Sequence, residues 1–364
     1  MAALLAAIPP GSSPESDVHT WPDWARIAPH IEAIAARLRG SDAPAVDPEL
    51  TIRASRLLGI CGFYRRGQVR YGTRGTQRSA TFVGQGLPAK WETVTMTSFD
   101  DHERLRWAGR AAAYQRSFAA LCAYPSEALL DAAGVEAGHR MLDAGTGPGT
   151  LAALACARGA AVVAVDAEPS MVDLARLRVP EAEVRQATLP NLPFADGCFD
   201  AAVANFVINH VGDPAAAVVE LRRVVRPGGR IAVTVWPYPQ PPLQRLWGEI
   251  FNASGASRPG AMPRLDADKD FPRTPEGLSA LLADVGLSDV HCYTITWTHH
   301  TDPEDWWSGP ANGIGAPGLL MEHQPPTMIT RIRHEYDRLT AAYRSDDGLL
   351  ALPTAALLAS AAVC

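Results

Sequence analysis

The apolar positions of this chain follow two different periods. In the middle of the sequence, short unbroken apolar runs such as Ala161-Val-Val-Ala-Val165 are separated by segments whose apolar residues recur at helical spacing. An unbroken run of this kind predicts a strand buried on both faces, as in a parallel sheet covered by helices. Strands are predicted to end at Asp143, Val165 and Ala187, with a fourth from Phe199 to near Asn205 and a fifth over Ile231–Trp236. Helices are predicted between them, over Leu151–Arg158 and 214–225. Ahead of this alternation, Asp100 or Asp101 caps one helix that runs to about Ala120, with Trp107, Ala111, Tyr114, Phe118 and Leu121 on one face. A short helix follows Ser126 and stops at Gly134. After the alternation come helices over Leu243–Ala253 and Thr274–Ala283 and a sixth strand ending in Trp297-Thr-His-His300. A Gly-rich loop over Gly309–Gly318, a helix over Met328–Tyr343 and a seventh strand over Thr354–Ala361, just past Pro353, complete the chain. Strands alternating with helices predict an α/β fold around a mostly parallel sheet.

The pattern changes before Met96. Ile27, Ile31, Ile34 and Leu38 form one apolar stripe, closed by Gly40 and Pro44, and residues 48–63 give a second amphipathic helix. Residues 66–95 have no apolar period and read as a linker. Charge breaks at the same place, with a net +3 over residues 1–95 and −9 over the remainder. The chain is therefore divided into a helical N-terminal extension with linker, 1–95, expected to be dispensable, and a functional unit, 96–364. Apolar residues make up 47% of the 364, enough for a sizeable core. The acidic balance of the larger unit gives no basic groove, so nucleic acid is not an expected partner. The six cysteines, at 61, 122, 156, 198, 292 and 364, form no CxxC pair, which argues against a disulfide framework or a zinc site and for a reducing cytoplasm. The run Ala2–Ile8 has no basic residue before it, so no signal peptide is expected. The uncharged run Leu349–Cys364 falls short of the roughly 18 residues a membrane helix needs and contains Pro353, so it predicts a buried strand and no membrane association.

Chemistry concentrates in Met141-Leu-Asp-Ala-Gly-Thr-Gly-Pro-Gly-Thr150, between the first strand and its helix. Glycine permits positive φ and leaves no Cβ between the backbone and a ligand. In α/β sheets, ligands bind beyond the C-terminal ends of the strands, where strand order reverses. A dinucleotide-binding turn needs G-x-G-x-x-G, and Thr150 occupies its third glycine position. Asp143 precedes the glycines, where it would repel a pyrophosphate and hold a cation. This stretch resembles motif I of the class I S-adenosylmethionine (SAM)-dependent methyltransferases. Asp166, Leu192-Pro-Phe194, Phe199-Asp200 and Arg226-Pro-Gly-Gly-Arg230 follow in that family's order and spacing, so the resemblance spans about 100 residues.

The resemblance implies a Rossmann-like class I methyltransferase fold, a seven-stranded sheet whose last strand is antiparallel. Residues 139–236 would form the SAM-binding core and 237–350 the substrate-side cap. It implies SAM as cofactor, with S-adenosylhomocysteine as product, at Asp143, Ala144, Gly145, Thr146, Gly147 and Gly149. Asp166, with Ala167 beside it, would accept hydrogen bonds from the ribose diol, a device NAD enzymes share. Met171 matches the residue that packs on adenine. Thr188 stands where the family usually has Asp, which removes a charge-assisted hydrogen bond to adenine but leaves the Leu189 N–H. Asn205 ends strand 4 beside motif I. Tyr114 matches a tyrosine near the methionine moiety, with a core tyrosine as the alternative. His210, five residues beyond Asn205, is the candidate general base, since imidazole titrates near neutrality, with a loop histidine bonded to backbone as the alternative.

Trp236, His299 and Trp306 are the candidates for an apolar or aromatic substrate pocket, with core packing of Trp306 and Trp307 as the alternative. Adjacent His299 and His300 would face opposite sides of a strand, so no metal site is expected. The expected activity is methyl transfer from SAM to an O, N or C atom of a small apolar or aromatic metabolite in bacterial specialised metabolism. Motifs of this kind look most like the ubiquinone/menaquinone and natural-product methyltransferases. A SAM-binding protein that does not methylate, using the cofactor for binding or another reaction, is the alternative. An NAD-dependent oxidoreductase is disfavoured by Thr150 and Asp143. A homodimer is one admissible assembly. Residues 96–364 alone are expected to match the full chain in solubility and in S-adenosylhomocysteine affinity by titration calorimetry. Collapse of the truncated protein would overturn that division.

Overall fold

The computed structural model describes residues 98–258 and 264–364. The helical hairpin, the linker and the dispensability expected of the N-terminal extension lie outside the described residues. Seven strands form one sheet: β1 (Arg140–Ala144), β2 (Ala161–Asp166), β3 (Glu183–Gln186), β4 (Phe199–Asn205), β5 (Val225–Val235), β6 (Ser288–Thr301) and β7 (Leu350–Ala362). Their order is β3-β2-β1-β4-β5-β7-β6. The pairs from β3 to β5 are parallel, and β7 runs antiparallel to β5 and β6. From β1 the chain winds outward to β3 and then returns to β4. Strand order therefore reverses between β1 and β4, and a crevice opens at their C-terminal ends.

The unbroken apolar runs are explained by burial on both faces. Leu142, Val163 and Val165 pack with Val218 and Leu221 of α7 (Pro214–Val224) and Leu278 and Leu282 of α9 (Pro275–Asp284). Met141, Val162 and Ala164 face the other way, onto Leu129 and Leu130 of α4 (Ser126–Ala132), Leu151 and Ala155 of α5 (Thr150–Ala157) and Val172 of α6 (Pro169–Arg178). With alternate residues committed to opposite layers, the runs stay apolar up to the strand ends, where Asp143 and Asp166 stand. A third cluster forms the cap. It joins α8 (Pro242–Ser254), α10 (Pro303–Ala311), α11 (Gly315–Glu322) and α12 (Pro326–Thr340) around Trp247, Phe251, Trp306, Met321, Ile332 and Tyr336. The Thr274 hydroxyl caps α9, accepting from Gly277 N at 3.1 Å. Among the described residues, no helix is long and apolar enough to cross a membrane.

Several elements differ from expectation. The single helix expected from Asp100 to about Ala120 is three: α1 (Ser98–Trp107), α2 (Ala111–Ser117) and α3 (Ala119–Ala123). Gly109 breaks it, with φ at 70° and its N–H donated to Glu168 Oε1 at 3.1 Å, while Arg110 ion-pairs with Glu322 at 2.6 Å. The break is thus set by contacts with remote parts of the chain. The Gly-rich loop expected over Gly309–Gly318 is the end of α10 and the start of α11. Its glycines serve close packing: a Cβ on Gly309 would collide with the Phe118 ring, and one on Gly318 with the Gly313 backbone. β7 begins before Pro353, which pairs with Thr298 of β6 but lies outside the Leu357–Ala362 span paired with β5. Its missing N–H therefore costs no bond on the β5 side.

Arg226-Pro-Gly-Gly-Arg230 is an irregular first part of β5, where the register with β4 shifts between Phe199 and Ala201. A Cβ on Gly229 would meet the Asp200 carbonyl and, at 2.5 Å, Val225 Cγ1. Gly229→Ala is expected to destabilise the protein by about 1–3 kcal/mol in urea unfolding. Gly248→Ala, on α8 where a Cβ meets nothing within 4 Å, is expected to be neutral or to stabilise by up to about 1 kcal/mol.

Candidate active site

A cavity of about 650 Å³ occupies the crevice at the reversal of strand order, reached by residues of the glycine turn, the exits of β2, β3 and β4, the helices α1–α3 and the cap. The turn is fastened to β2, with the N–H groups of Gly145 and Thr146 donating to the Val165 carbonyl at 2.8 and 2.9 Å. All three turn glycines have positive φ. A Cβ on Gly145 would collide with Val207, and one on Gly149 would sit 2.8 Å from Val179. At Gly147 the nearest atom to such a Cβ is Tyr114 Cε1 at 3.8 Å, so its face is open toward the cavity. Asp143, Gly145, Thr146 and Gly147 line the cavity, whereas Ala144 is fully buried and Gly149 packs against Val179.

Two acids stand at the rim. Asp143 is 1% exposed and accepts from the Thr146 hydroxyl at 2.7 Å. Burial pushes its carboxyl up to about 7. Asp166 accepts from the N–H groups of Gly147 and Glu168, both at 2.9 Å. Burial still outweighs these bonds and pushes it up to about 6. No cationic side chain among the described residues forms an ion pair with either acid. Ala167, Met171, Thr188 and Leu189 continue the wall beyond Asp166. Asn205 also lines it, but its amide is committed: Nδ2 donates to the Cys122 carbonyl at 2.8 Å, and Oδ1 accepts from the Thr234 hydroxyl at 2.6 Å. Tyr114 faces the turn from α2, its ring 5.6 Å from and edge-on to Trp107, and burial raises its hydroxyl well above the ordinary value.

His210 ends a 3₁₀ turn after β4, Ile208–His210. Its Nδ1 lies 2.7 Å from Glu103 Oε2, and Trp107 meets its ring edge-on at 5.5 Å. Burial would raise the Glu103 carboxyl, but the hydrogen bond to His210 and the charges of His210 and Arg106 outweigh it and hold the carboxyl below its usual range. A carboxylate on Nδ1 assigns the proton there, which leaves the Nε2 lone pair as the basic site.

On the cap side, Trp236 and Trp306 line the cavity. Trp236 stacks on Phe206, centroids 3.9 Å apart. His299 does not line the cavity. It is buried against Trp306 at 5.8 Å, and desolvation pushes its pKa down to about 4. Among the described residues no cluster of His, Cys, Asp and Glu is suited to a metal ion.

Residues 142–233 match the methyltransferase domain family. The demethylmenaquinone methyltransferase of Renibacterium salmoninarum is 30% identical over 171 residues, 44% of this chain and 72% of that protein. The enzyme of the same name from Beutenbergia cavernae is 33% identical over 178 residues, 46% of this chain and 74% of that protein. The chain belongs to the class I SAM-dependent methyltransferases. Among solved structures, the YcgJ protein of Bacillus subtilis aligns at 22% identity and a TM-score of 0.43, over 66% of this chain and 97% of that one.

Family membership implies SAM as the cofactor, and the donor set fits it. SAM carries an ammonium and a sulfonium, and the methyltransferase presents two desolvated acids that have no cationic partner among the described residues. Glu103, Trp107, Gln244 and Trp247 line the same cavity and were not among the sequence candidates. Glu103 and Trp107 are four residues apart on α1, so they share a helix face. The apolar pattern singled out Trp107 and passed over the acid beside it.

The carboxyls of Asp143 and Asp166 have folded-state values above the ordinary 3.8. The stability their neutral forms allow is complete below about pH 4 and is lost as pH rises through about 6 and about 7. Asp143→Asn cannot ionise. Relative to the unaltered methyltransferase, it is expected to gain a few kcal/mol as pH rises from about 4 to about 7, at about 1.4 kcal/mol per pH unit of displacement. Urea midpoints at about pH 4.5 and about pH 8 measure this. A difference that does not change with pH would show that Asp143 ionises normally.

Proposed function

We propose that residues 96–364 form a methyltransferase acting on an O, N or C atom of a small apolar or aromatic molecule, of the kind made in bacterial specialised metabolism. The observation that carries this reading is the cavity: Trp236, Trp247 and Trp306 of the cap side line the same space as Asp143 and Asp166. The relatives named for demethylmenaquinone methylation support a small-molecule acceptor.

Asp143, Thr146 and the open face of Gly147 would hold the methionine end of SAM, beside Tyr114. Asp166 would accept hydrogen bonds from the ribose hydroxyls. Met171 and Leu189 would pack on adenine, with Thr188 and the Leu189 N–H at its edge. When bound, SAM supplies a methyl group on a sulfonium, already a good leaving group. Most of the acceleration is then left to alignment and exclusion of water, which Trp236, Phe206 and Trp306 would provide around the acceptor. Where the acceptor must lose a proton, His210 Nε2 takes it. Glu103 holds the ring through Nδ1 and balances the imidazolium that forms.

Asp166→Ala is expected to weaken S-adenosylhomocysteine binding by roughly 100-fold in calorimetry, the loss of two hydrogen bonds to a charged acceptor. His210→Ala is expected to keep that affinity and to lower kcat by roughly 100-fold or more with an acceptor found by screening aromatic phenols and amines. Unchanged turnover by His210→Ala at saturating acceptor would remove the base from the mechanism.

A further inference from the structure

The cap brings three hydrogen-bond donors to the cavity without giving them acceptors. Gln244 and Trp247 are three residues apart on α8, so their side chains leave one face of the helix. Trp306 reaches Trp247 from α10, its ring centroid 6.3 Å from that of Trp247. All three residues line the cavity. Gln244 Nε2, Trp247 Nε1 and Trp306 Nε1 are buried and have no hydrogen-bond partner among the described residues. The Gln244 amide is oriented: its Oε1 accepts from the Thr354 hydroxyl at 3.1 Å, which leaves the NH₂ group as the free end. An indole N–H can only donate. Buried donors without acceptors are costly, and folded proteins keep few of them. Three on adjacent side chains of one cavity wall are what a site completed by its ligand looks like.

The ligand group that completes them must accept and need not donate. It must also suit a neutral wall. Leu243, Phe118 and Trp236 are its apolar surroundings. The three arginines that also line the cavity, Arg104, Arg106 and Arg273, pair with Asp101, Glu103 and Asp270. A carboxylate placed on three neutral donors would be left without a counter-charge. A carbonyl oxygen has the required lone pairs and no charge.

We propose that Gln244, Trp247 and Trp306 form a subsite for the carbonyl oxygen of an apolar or aromatic methyl acceptor. This rests on the reading of the cavity as the site of a small acceptor, and it names a feature that acceptor carries. The three residues lie outside the span 142–233 that matches the methyltransferase domain family, so the preference belongs to the cap of this chain. A carbonyl anchored there fixes one end of the acceptor and orients the rest of it within the cavity that His210 also lines.

The test compares two probes of one carbon skeleton, 2-acetylnaphthalene and 2-ethylnaphthalene, titrated into the full chain with and without saturating S-adenosylhomocysteine. The ketone is expected to bind about tenfold more tightly, the value of one or two neutral hydrogen bonds. Gln244→Leu and the ring-preserving Trp247→Phe should each weaken ketone binding by about threefold to tenfold. Both variants should leave hydrocarbon and S-adenosylhomocysteine affinity as they were. Equal binding of the two probes, binding of neither, or a ketone preference that survives both substitutions would overturn the subsite. Failure of S-adenosylhomocysteine to bind while the ketone preference holds would instead overturn the methyl-transfer reading and leave the subsite standing.

Discussion

Everything at the centre of this protein depends on the parallel pairing of β1 with β2. That register sets Asp143 opposite Ala164 and Ala144 opposite Val165, so the two strands end together and their terminal acids, Asp143 and Asp166, meet at one rim. The glycine turn is then hung from the Val165 carbonyl by two N–H groups and returns its Gly147 N–H to Asp166. A slip of one residue would send the apolar side chains of β1 to the wrong layers and separate the acids. Burial on both faces of the sheet enforces the register, and the register makes the site.

The cost of that arrangement is visible in the acids themselves. Both are held in surroundings that disfavour their charged form, and neither is offered a cation by the described part of the chain. Buried charge normally survives only when paired. Here the pairing is left for a ligand, and positively charged SAM is the ligand the family uses. The same logic recurs on the opposite wall, where indole and amide donors are buried ahead of any acceptor. Acids without a cation and donors without an acceptor among the described residues thus line one cavity.

The helical segment over that cavity shows how remote contacts rewrite local preference. A continuous amphipathic helix suits residues 100–120, yet the chain breaks at Gly109. The break allows the Gly109 N–H to reach Glu168 and Arg110 to reach Glu322. Glu168 also accepts from Met171 N at the start of α6, so one carboxylate ties the broken helix to the loop that follows Asp166. The break also leaves Glu103 and Trp107 on α1 beside His210 and Tyr114 on α2 beside the glycine turn.

The sequence by itself determined the sheet, its order of elements and the glycine turn. It could do so because strands buried on both faces must be uniformly apolar, and because an acid at such a strand's end has only the crevice to face. It also located Asp166 and Met171 after β2 and His210 after β4, close along the chain to the strand ends that border the crevice. Only the tertiary structure decided that Glu103 holds His210 across 107 residues. Only it turned the glycines at 309 and 318 into helix contacts and removed His299 from the cavity while bringing Gln244 and Trp247 into it. These follow from how helices of the cap pack on one another, and packing joins faces whose partners no local period records.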